Sequence, residues 1–433
     1  MHIYSACPNR RYTQQEPNTV IHMHKNVLAM VLAGGMGTRL YPLTAIRPKP
    51  AVRFGGKYRI LDFVINNLVN SGFFKINILT QYKSYSLIRH VQDGWGFLPR
   101  YLGQYVDAVP APLASEKNWY LGTADGIYQN KELIEHANPE YVAVFSGDHI
   151  YKMDVGQMLD FHIKKKSDAT VAVIPVPIEE ASRFGVLAVD KDGRIIAFDE
   201  KPKNPKHMPG DPTKALVSMG NYVFNTQALI DNVIKDSYTS MEHDFGKNVI
   251  PAMIEKYKVY AYNFAQNTHP DMEEKEQGYW KDVGTVDSYY QANMDLVAVD
   301  PVFNLYNHHW PIRTPTQVVA PAKFVWSEGD RQGKAMDSMV CGGVIISGGT
   351  VKRTIISPNV KVNSWANVNE SILFDDSEIG RYCVLNKVIV EEGVKIPEGE
   401  KIGVNLEEDK KRFYVSESGV VVVFSNLCFR MKV

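Results

Sequence analysis

Apolar and polar positions follow two regimes along the chain. From Val27, short apolar runs alternate with helically spaced ones, the mark of an open α/β layer with a largely parallel sheet. VLAMVLA (27–33) is uninterrupted and of strand length, which predicts a buried strand. A glycine loop and a Pro-punctuated stretch follow, and then Leu61, Val64, Ile65, Leu68 and Val69 mark one helix face, with Gly72 at its C-terminal end. INILT (76–80) predicts the next strand and completes a βαβ unit. Further on, the pattern predicts a helix after Thr123, a strand through YVAVFSGD to Asp148, a helix after Asp154 and a strand at ATVAVIPV. VLAVD and IIAFDE flank a K-D-G-R turn and predict an antiparallel hairpin between Gly185 and Pro202. Strands near Tyr222 and Tyr260 and a helix from about Thr285 follow. The segment from Asp300 to about Ala335 holds Pro301, Pro311, Pro315 and Pro321 and little periodicity, so it reads as a linker.

Beyond the linker the rhythm changes. Val362, Val368 and Phe374 are spaced by six, as are Ile379 and Leu385, and again Val390, Ile396 and Ile402. This spacing fits neither an α-helix nor a simple hairpin. It suits a parallel β-helix whose hexapeptides each turn one apolar side chain inward. Because the blocks slip by one residue, a set of ordinary short strands is the competing reading. The boundaries expected are an N-terminal arm (1–26), an α/β domain (27–300), the linker (301–338) and a repeat domain (339–433).

The 433 residues suffice for two or three domains at about 150 residues each. Lys plus Arg and Asp plus Glu both total 48, so no global field draws the chain to a polyanion, and a dedicated nucleic-acid binder is disfavoured. No apolar run approaches the ~18 residues of a membrane span. The polar first 25 residues lack the apolar stretch of a signal peptide and read as a loose arm. Cys7, Cys341, Cys383 and Cys428 form no C-x-x-C pair, which suggests free thiols in a reducing cytoplasm.

Candidate chemistry gathers at strand ends. In LAGGMGTRL, Gly34, Gly35 and Gly37 remove side chains where backbone must approach phosphates, while Thr38 and Arg39 add a hydroxyl and a fixed cation. A bare glycine turn is the plainer reading. Ten residues on, Lys49 stands between Pro48 and Pro50, which are expected to hold it extended beside that loop. Asp148, in FSGDHIYK, falls at the carboxyl end of an apolar strand, the edge where open α/β sheets bind ligands. It and Asp282, in a loop before a helix, could hold Mg²⁺ against phosphate oxygens, although each could equally cap a turn or helix. Glycine loop and carboxylates together suit phosphoryl or nucleotidyl transfer. His149 is expected to position its neighbour, and His243 with Asp244 to be structural.

The ordered set LAGGMGTRL, KPAV, NWYLGTAD, SGDHIYK, RFGV, DEKP, SMGNYVF, HDFGK and W-K-D-V-G-T resembles the bacterial ADP-glucose pyrophosphorylases, the glucose-1-phosphate adenylyltransferases of glycogen synthesis, from about Val27 to about Val423. The resemblance implies a Rossmann-like nucleotidyltransferase α/β domain followed by a left-handed parallel β-helix. It also implies a reaction of ATP with glucose 1-phosphate that gives ADP-glucose and pyrophosphate. By that resemblance Gly34, Gly35, Gly37 and Thr38 cradle the nucleotide, Gln81 contacts the adenine region, and Arg39 and Lys49 neutralise pyrophosphate. Asp148 and Asp282 hold Mg²⁺, and Tyr120, Gly185, Glu200, Lys201 and Ser218 form the glucose-1-phosphate pocket, with Lys201 on the phosphate.

The same resemblance implies a cytoplasmic homotetramer regulated by anionic metabolites at Arg47, Arg53 and Arg59, which as a plain sequence pattern could equally be a solvated basic face. Enterobacterial members carry a fructose-1,6-bisphosphate lysine where this chain has Ile46, and an isoleucine cannot bond a phosphate. Competing readings are a pyrophosphorylase for another nucleotide and sugar, a catalytically silent regulatory subunit, and a hexapeptide acyltransferase. The last is disfavoured because all 12 histidines precede Trp310 and leave the repeat domain without a histidine base.

Overall fold

The computed structural model describes residues 26–35, 37–112, 119–329 and 331–425. The N-terminal arm, apart from Asn26, and the thiols of Cys7 and Cys428 lie outside the described residues.

Strands β1 (Val27–Leu32), β2 (Lys75–Thr80), β3 (Tyr105–Pro110), β4 (Tyr141–Ser146), β5 (Ala169–Pro177), β6 (Gly185–Val189), β7 (Ile195–Glu200), β8 (Lys214–Asn225) and β9 (Val259–Asn263) build one nine-stranded sheet. Its order is β7-β6-β8-β4-β1-β2-β3, with β5 also paired to β8 and carrying β9. Only β7 and β8 run against the rest, so the sheet is mixed around a parallel centre. Strand β1 shows why its sequence is apolar throughout. Val27, Ala29 and Val31 enter one core while Leu28 and Met30 enter the core on the opposite face. The expected helices form at Ile60–Asn70, Thr123–Gln129, Val155–Lys165 and Val286–Met294. Asp154 and Thr285 cap two of them, accepting from the amides of Gly156 and Ser288. No helix among the described residues is long and apolar enough to cross a membrane.

The C-terminal region is a stack of parallel coils. Three of its sheets each take one strand per coil, and Val368 pairs with Leu385 and Ile372 with Ile389, 17 positions on. The inward residues are Val362, Val368, Leu373, Ile379, Leu385, Val390, Ile396 and Ile402, all in one buried cluster. Their spacing is therefore six, five and six, and the slip in the apolar period is one short side per coil. Phe374, expected inside on a strict six-residue period, instead joins a second cluster on the outer face. Coiling also begins earlier than expected. Lys323–Val325 and Lys334–Met336 already pair in parallel with later coils, so the linker ends near residue 322, not 338.

The two regions share a core. Ile355, Ile372, Ile389 and Val422 pair in succession along one outward face, and that face packs against Leu40, Phe54, Phe63, Val286 and Tyr289. An outer surface that would ordinarily be polar is thus apolar and sealed. The linker is strapped across the first long helix, where the Asn66 amide donates to the Arg313 carbonyl at 2.8 Å and accepts from the Arg313 N–H at 2.8 Å.

Candidate active site

The carboxyl ends of β1, β4 and their neighbours open into a cavity of about 580 Å³. Every residue expected to handle nucleotide, metal or sugar phosphate lines it: Gly34, Gly35, Gly37, Thr38, Arg39, Lys49, Gln81, Tyr120, Asp148, Gly185, Glu200, Lys201, Ser218 and Asp282.

The glycine loop leaves β1 at Leu32. Gly37 has φ +61°, and a Cβ there would approach the Cβ of Lys49 to 2.9 Å, so both conformation and space require glycine. At Gly35 a Cβ would meet nothing within 4 Å, so glycine there leaves the cavity wall bare. Lys49 is not extended as its prolines suggested. Pro48 is extended, but Lys49 opens a short 3-10 turn, Lys49–Ala51, that buries its stem.

Lys49 Nζ stands between the two carboxylates, 2.9 Å from Asp148 Oδ2 and 2.8 Å from Asp282 Oδ1. Asp282 is not in a loop. It ends a short strand, Trp280–Asp282, paired antiparallel with His149–Tyr151, and its register partner is His149. This ribbon fixes the separation of the two acids. Burial opposes the charge of Asp148, but the Lys49 ammonium, His149 and the Ser146 hydroxyl outweigh it and hold the carboxyl below its usual range. Burial likewise works against the Lys49 ammonium, and the two carboxylates reverse it, so its pKa is raised.

Asp148, His149 and Asp282 each offer one ligand atom, all within 4.8 Å of one another. Two carboxylates beside an open cavity fit Mg²⁺, which takes one or two acidic ligands and completes its shell with water or phosphate oxygens. His149 packs edge-on against Trp280, 5.2 Å between ring centres, and its Nδ1 is buried without a partner.

At the other end of the cavity Gly185 faces Glu200 across the β6–β7 pair, and a Cβ on Gly185 would come within 2.9 Å of the Glu200 carboxylate. Lys201 has φ +49° and bonds Glu200 at 2.7 Å. The Tyr120 amide donates to Gln81 Oε1 at 2.8 Å, and the Tyr120 hydroxyl accepts from Asn130 at 2.9 Å. Ser218 accepts from the Gly220 amide.

The sequence reading missed Asp244 and Arg183 as cavity residues. His243 does bond Asp236 at 2.9 Å, a structural role as expected, and Asp244 caps the amides of Gly246 and Lys247. Yet Asp244 also faces the cavity, beside the glycine of HDFGK, a placement that only the fold reveals.

Arg47, Arg53 and Arg59 lie apart from the cavity, towards the coil stack. Arg47 pairs with Glu391 at 2.8 Å and Arg53 with Asp375 at 2.6 Å, both buried and both across the junction of the two regions. They are not a solvated basic face. Burial raises the pKa of Glu391 and Asp375 in spite of their arginines, so desolvation outweighs attraction there. Arg59 donates to the Ser86 carbonyl, its Nε is buried without a partner, and burial with the nearby Arg53 charge pushes it down to about 10. Ile46 is exposed.

Comparison with known proteins agrees with this geometry. The nucleotidyl transferase family profile matches residues 28–298, and the GlmU-like C-terminal hexapeptide profile matches residues 320–423. The chain is 54% identical over 402 residues to the glucose-1-phosphate adenylyltransferase of Anaeromyxobacter sp. (strain Fw109-5), covering 92% of this chain and 97% of that one. Its identity to the enzymes of the same name from Methylococcus capsulatus and Dechloromonas aromatica is 48% and 45%, over 93% and 99% of this chain and 94% and 98% of theirs.

Proposed function

The chain belongs to the glucose-1-phosphate adenylyltransferase family, and on that premise we propose that it transfers the adenylyl group of ATP to glucose 1-phosphate, giving ADP-glucose and pyrophosphate. This is the committed step of bacterial glycogen synthesis. The observation that carries the reading is the joining of a bare glycine loop, a Lys-Asp-Asp cluster and a Lys201–Glu200 pair in one cavity.

Gly34, Gly35, Gly37 and Thr38 receive the triphosphate, and Gln81 bounds the base. A phosphate oxygen of glucose 1-phosphate attacks the α-phosphorus in line. The nucleophile is already anionic, so no general base is needed and His149 serves position. Asp148 and Asp282 would hold Mg²⁺, which when bound would neutralise charge that develops on the phosphate oxygens. The Lys49 ammonium and the Arg39 guanidinium meet the departing pyrophosphate. Lys201 pairs with the sugar phosphate, while Tyr120, Gly185, Glu200 and Ser218 shape the sugar pocket.

The charged side chains of the cavity speak against a silent subunit, since the cations Arg39 and Lys49 and the carboxylates Asp148 and Asp282 are all present. Regulation by anionic metabolites is assigned to Arg47, Arg53 and Arg59, where an effector phosphate would compete with Glu391 and Asp375. We assign the enzyme to the cytoplasm as a homotetramer.

The test is pyrophosphate release from glucose 1-phosphate with ATP, UTP, GTP and dTTP, with Mg²⁺ and with EDTA. ATP should be strongly preferred, EDTA should abolish turnover, and Asp148→Asn should lose at least 100-fold in kcat while keeping its circular dichroism. Equal use of UTP, or an unimpaired variant, defeats the assignment. Adding fructose 1,6-bisphosphate, fructose 6-phosphate, pyruvate and AMP, and measuring mass by light scattering, tests regulation and assembly.

A further inference from the structure

Arg183 ends the short turn Ala181–Arg183 just before β6 and lines the sugar end of the cavity. Its side chain is exposed, and its guanidinium has no hydrogen bond or ion pair with any described residue. The other cations facing this cavity from the catalytic elements are engaged or lie elsewhere. Lys49 is held by two carboxylates, Lys201 by Glu200, and Arg39 stands at the nucleotide end, near Gly284.

The strand pairing brings Arg183 and Lys201 to one rim. Gly185 faces Glu200, and one step further the Lys201 amide donates to the Phe184 carbonyl at 3.1 Å. The Phe184 ring packs on Trp280 with centres 5.3 Å apart, which anchors the backbone immediately after Arg183. A free, planar cation is thus presented from a fixed turn.

Around the sugar end the cavity presents Glu200, Lys201 and Asp244, which sum to one negative charge. That field opposes a sugar phosphate carrying close to two negative charges at neutral pH. Arg183 brings the sum to zero and offers a fork of donors that matches phosphate oxygens in pairs.

We propose that Arg183 is a substrate-binding residue that pairs, together with Lys201, with the phosphate of the hexose 1-phosphate. The inference rests on the adenylyltransferase reading above and adds to it a residue that sets affinity for the sugar-phosphate substrate. Because the guanidinium has no partner among the described residues, its removal leaves none of them unpaired, and Arg183→Gln should fold normally.

Initial rates of the full-length enzyme and of Arg183→Gln and Arg183→Lys, with either substrate varied at saturation of the other, test it. Arg183→Gln should raise KM for glucose 1-phosphate about tenfold, with kcat and the KM for ATP within about twofold of wild type. Arg183→Lys should recover part of the loss, and the variant's KM for pyrophosphate in the reverse direction should be unchanged. An unchanged KM for glucose 1-phosphate, or equal rises for ATP and pyrophosphate, overturns the role of Arg183 while wild-type turnover upholds the family reaction. Absence of wild-type turnover with ATP and glucose 1-phosphate overturns both.

Discussion

Replacing Lys49 with methionine removes the one cation that separates two carboxylates in a partly buried site. Its contacts are 2.9 and 2.8 Å, and the side chains of Asp148 and Asp282 are 29% and 21% exposed. Each contact is worth about 1.5 kcal/mol at the dielectric of water and about 6 at an effective value of 20. Solvent screening and the burial of the ammonium reduce the upper figure, so we expect a loss of about 2–4 kcal/mol at pH 7. The sign with pH is set by both groups. Asp148 is held below its ordinary 3.8, so its contribution is present above that value and fades as pH falls through the folded pKa. Lys49 is held above its ordinary 10.5, so its contribution is full below that value and is lost as pH rises through the folded pKa. The deficit should therefore be level between about pH 5 and 10 and shrink toward acid. With a urea slope of roughly 3 kcal/mol per M for a chain of this size, the midpoint should fall by about 0.7–1.3 M. Millimolar Mg²⁺ should raise the midpoint of Lys49→Met more than that of wild type, because the ammonium no longer competes for the carboxylates. Urea titrations at pH 3, 7 and 9, with and without Mg²⁺, measure all three effects. An unchanged midpoint at pH 7, a deficit that does not shrink toward pH 3, or a larger Mg²⁺ effect on wild type would refute the reasoning.

Three other substitutions or treatments probe separate parts of the fold. In Gly122→Ala the new Cβ would sit 2.2 Å from the Glu242 carbonyl oxygen and 2.3 Å from that of His243, both backbone, so a loss of about 2–4 kcal/mol and a lower melting temperature are expected; an unchanged melting temperature contradicts this. Ile372→Asp puts an unpaired charge on the sealed outward face, where Ile372 is 1% exposed, and should cost about 3–5 kcal/mol. Calorimetry should then resolve separate melting of the two regions, whereas one unshifted transition would mean that this face adds nothing. Burial, with Asp375 adding to it, pushes the Cys341 thiol up to about 11. At pH 8 its alkylation by iodoacetamide, followed by peptide mass spectrometry, should run about 100-fold slower than that of free cysteine, and equal rates would show the thiol to be accessible and ionised.

How much the sequence revealed follows the burial of each element. β1 and β4 were legible because both faces are covered and the apolar run is unbroken. β3 was not singled out, since it is an edge strand whose half-buried pattern includes Asp107. The helix Tyr85–Trp95 was also passed over: it buries His90 against Asp62 at 2.6 Å, a polar contact that blurs the apolar stripe. Local pattern singled out the glycine loop, Arg39, Lys49, Asp148 and Asp282 because each sits at a strand end or a glycine turn, whereas Gln81, Tyr120, Gly185, Glu200, Lys201 and Ser218 were implied by the family resemblance alone. Asp244 and Arg183 escaped because nothing local distinguishes a cavity-facing cap or turn residue from a solvated one. For Lys49, the prolines correctly indicated restraint but not its form, a buried 3-10 turn. As a sequence pattern the basic trio near residue 50 could equally be a solvated face, because the counter-charges of Arg47 and Arg53, Glu391 and Asp375, lie more than three hundred positions away.

The coil of 17 residues carries a consequence for how this chain can change length. Each side of the coil is joined to the same side one coil away, so adding or deleting a residue within a rung turns every later side chain away from its lining position. Length in this region is therefore quantised, and whole coils are the natural unit of gain or loss. Departures from 17 lie at the two ends of the stack: Lys323 pairs with Ile345, 22 positions on, Lys334 and Ile345 pair with Thr350 and Lys361, 16 positions on, and the last coil lengthens after Ile402. The strand Val388–Val390 pairs next with Val421–Val423, 33 positions on, and the additional 16 residues leave and rejoin at a corner, carrying the helix Leu406–Asp409 outside the stack. Such corners, and not the rungs, are where a loop, a tag or a new binding element could be grafted without disturbing the face that holds the catalytic region in place.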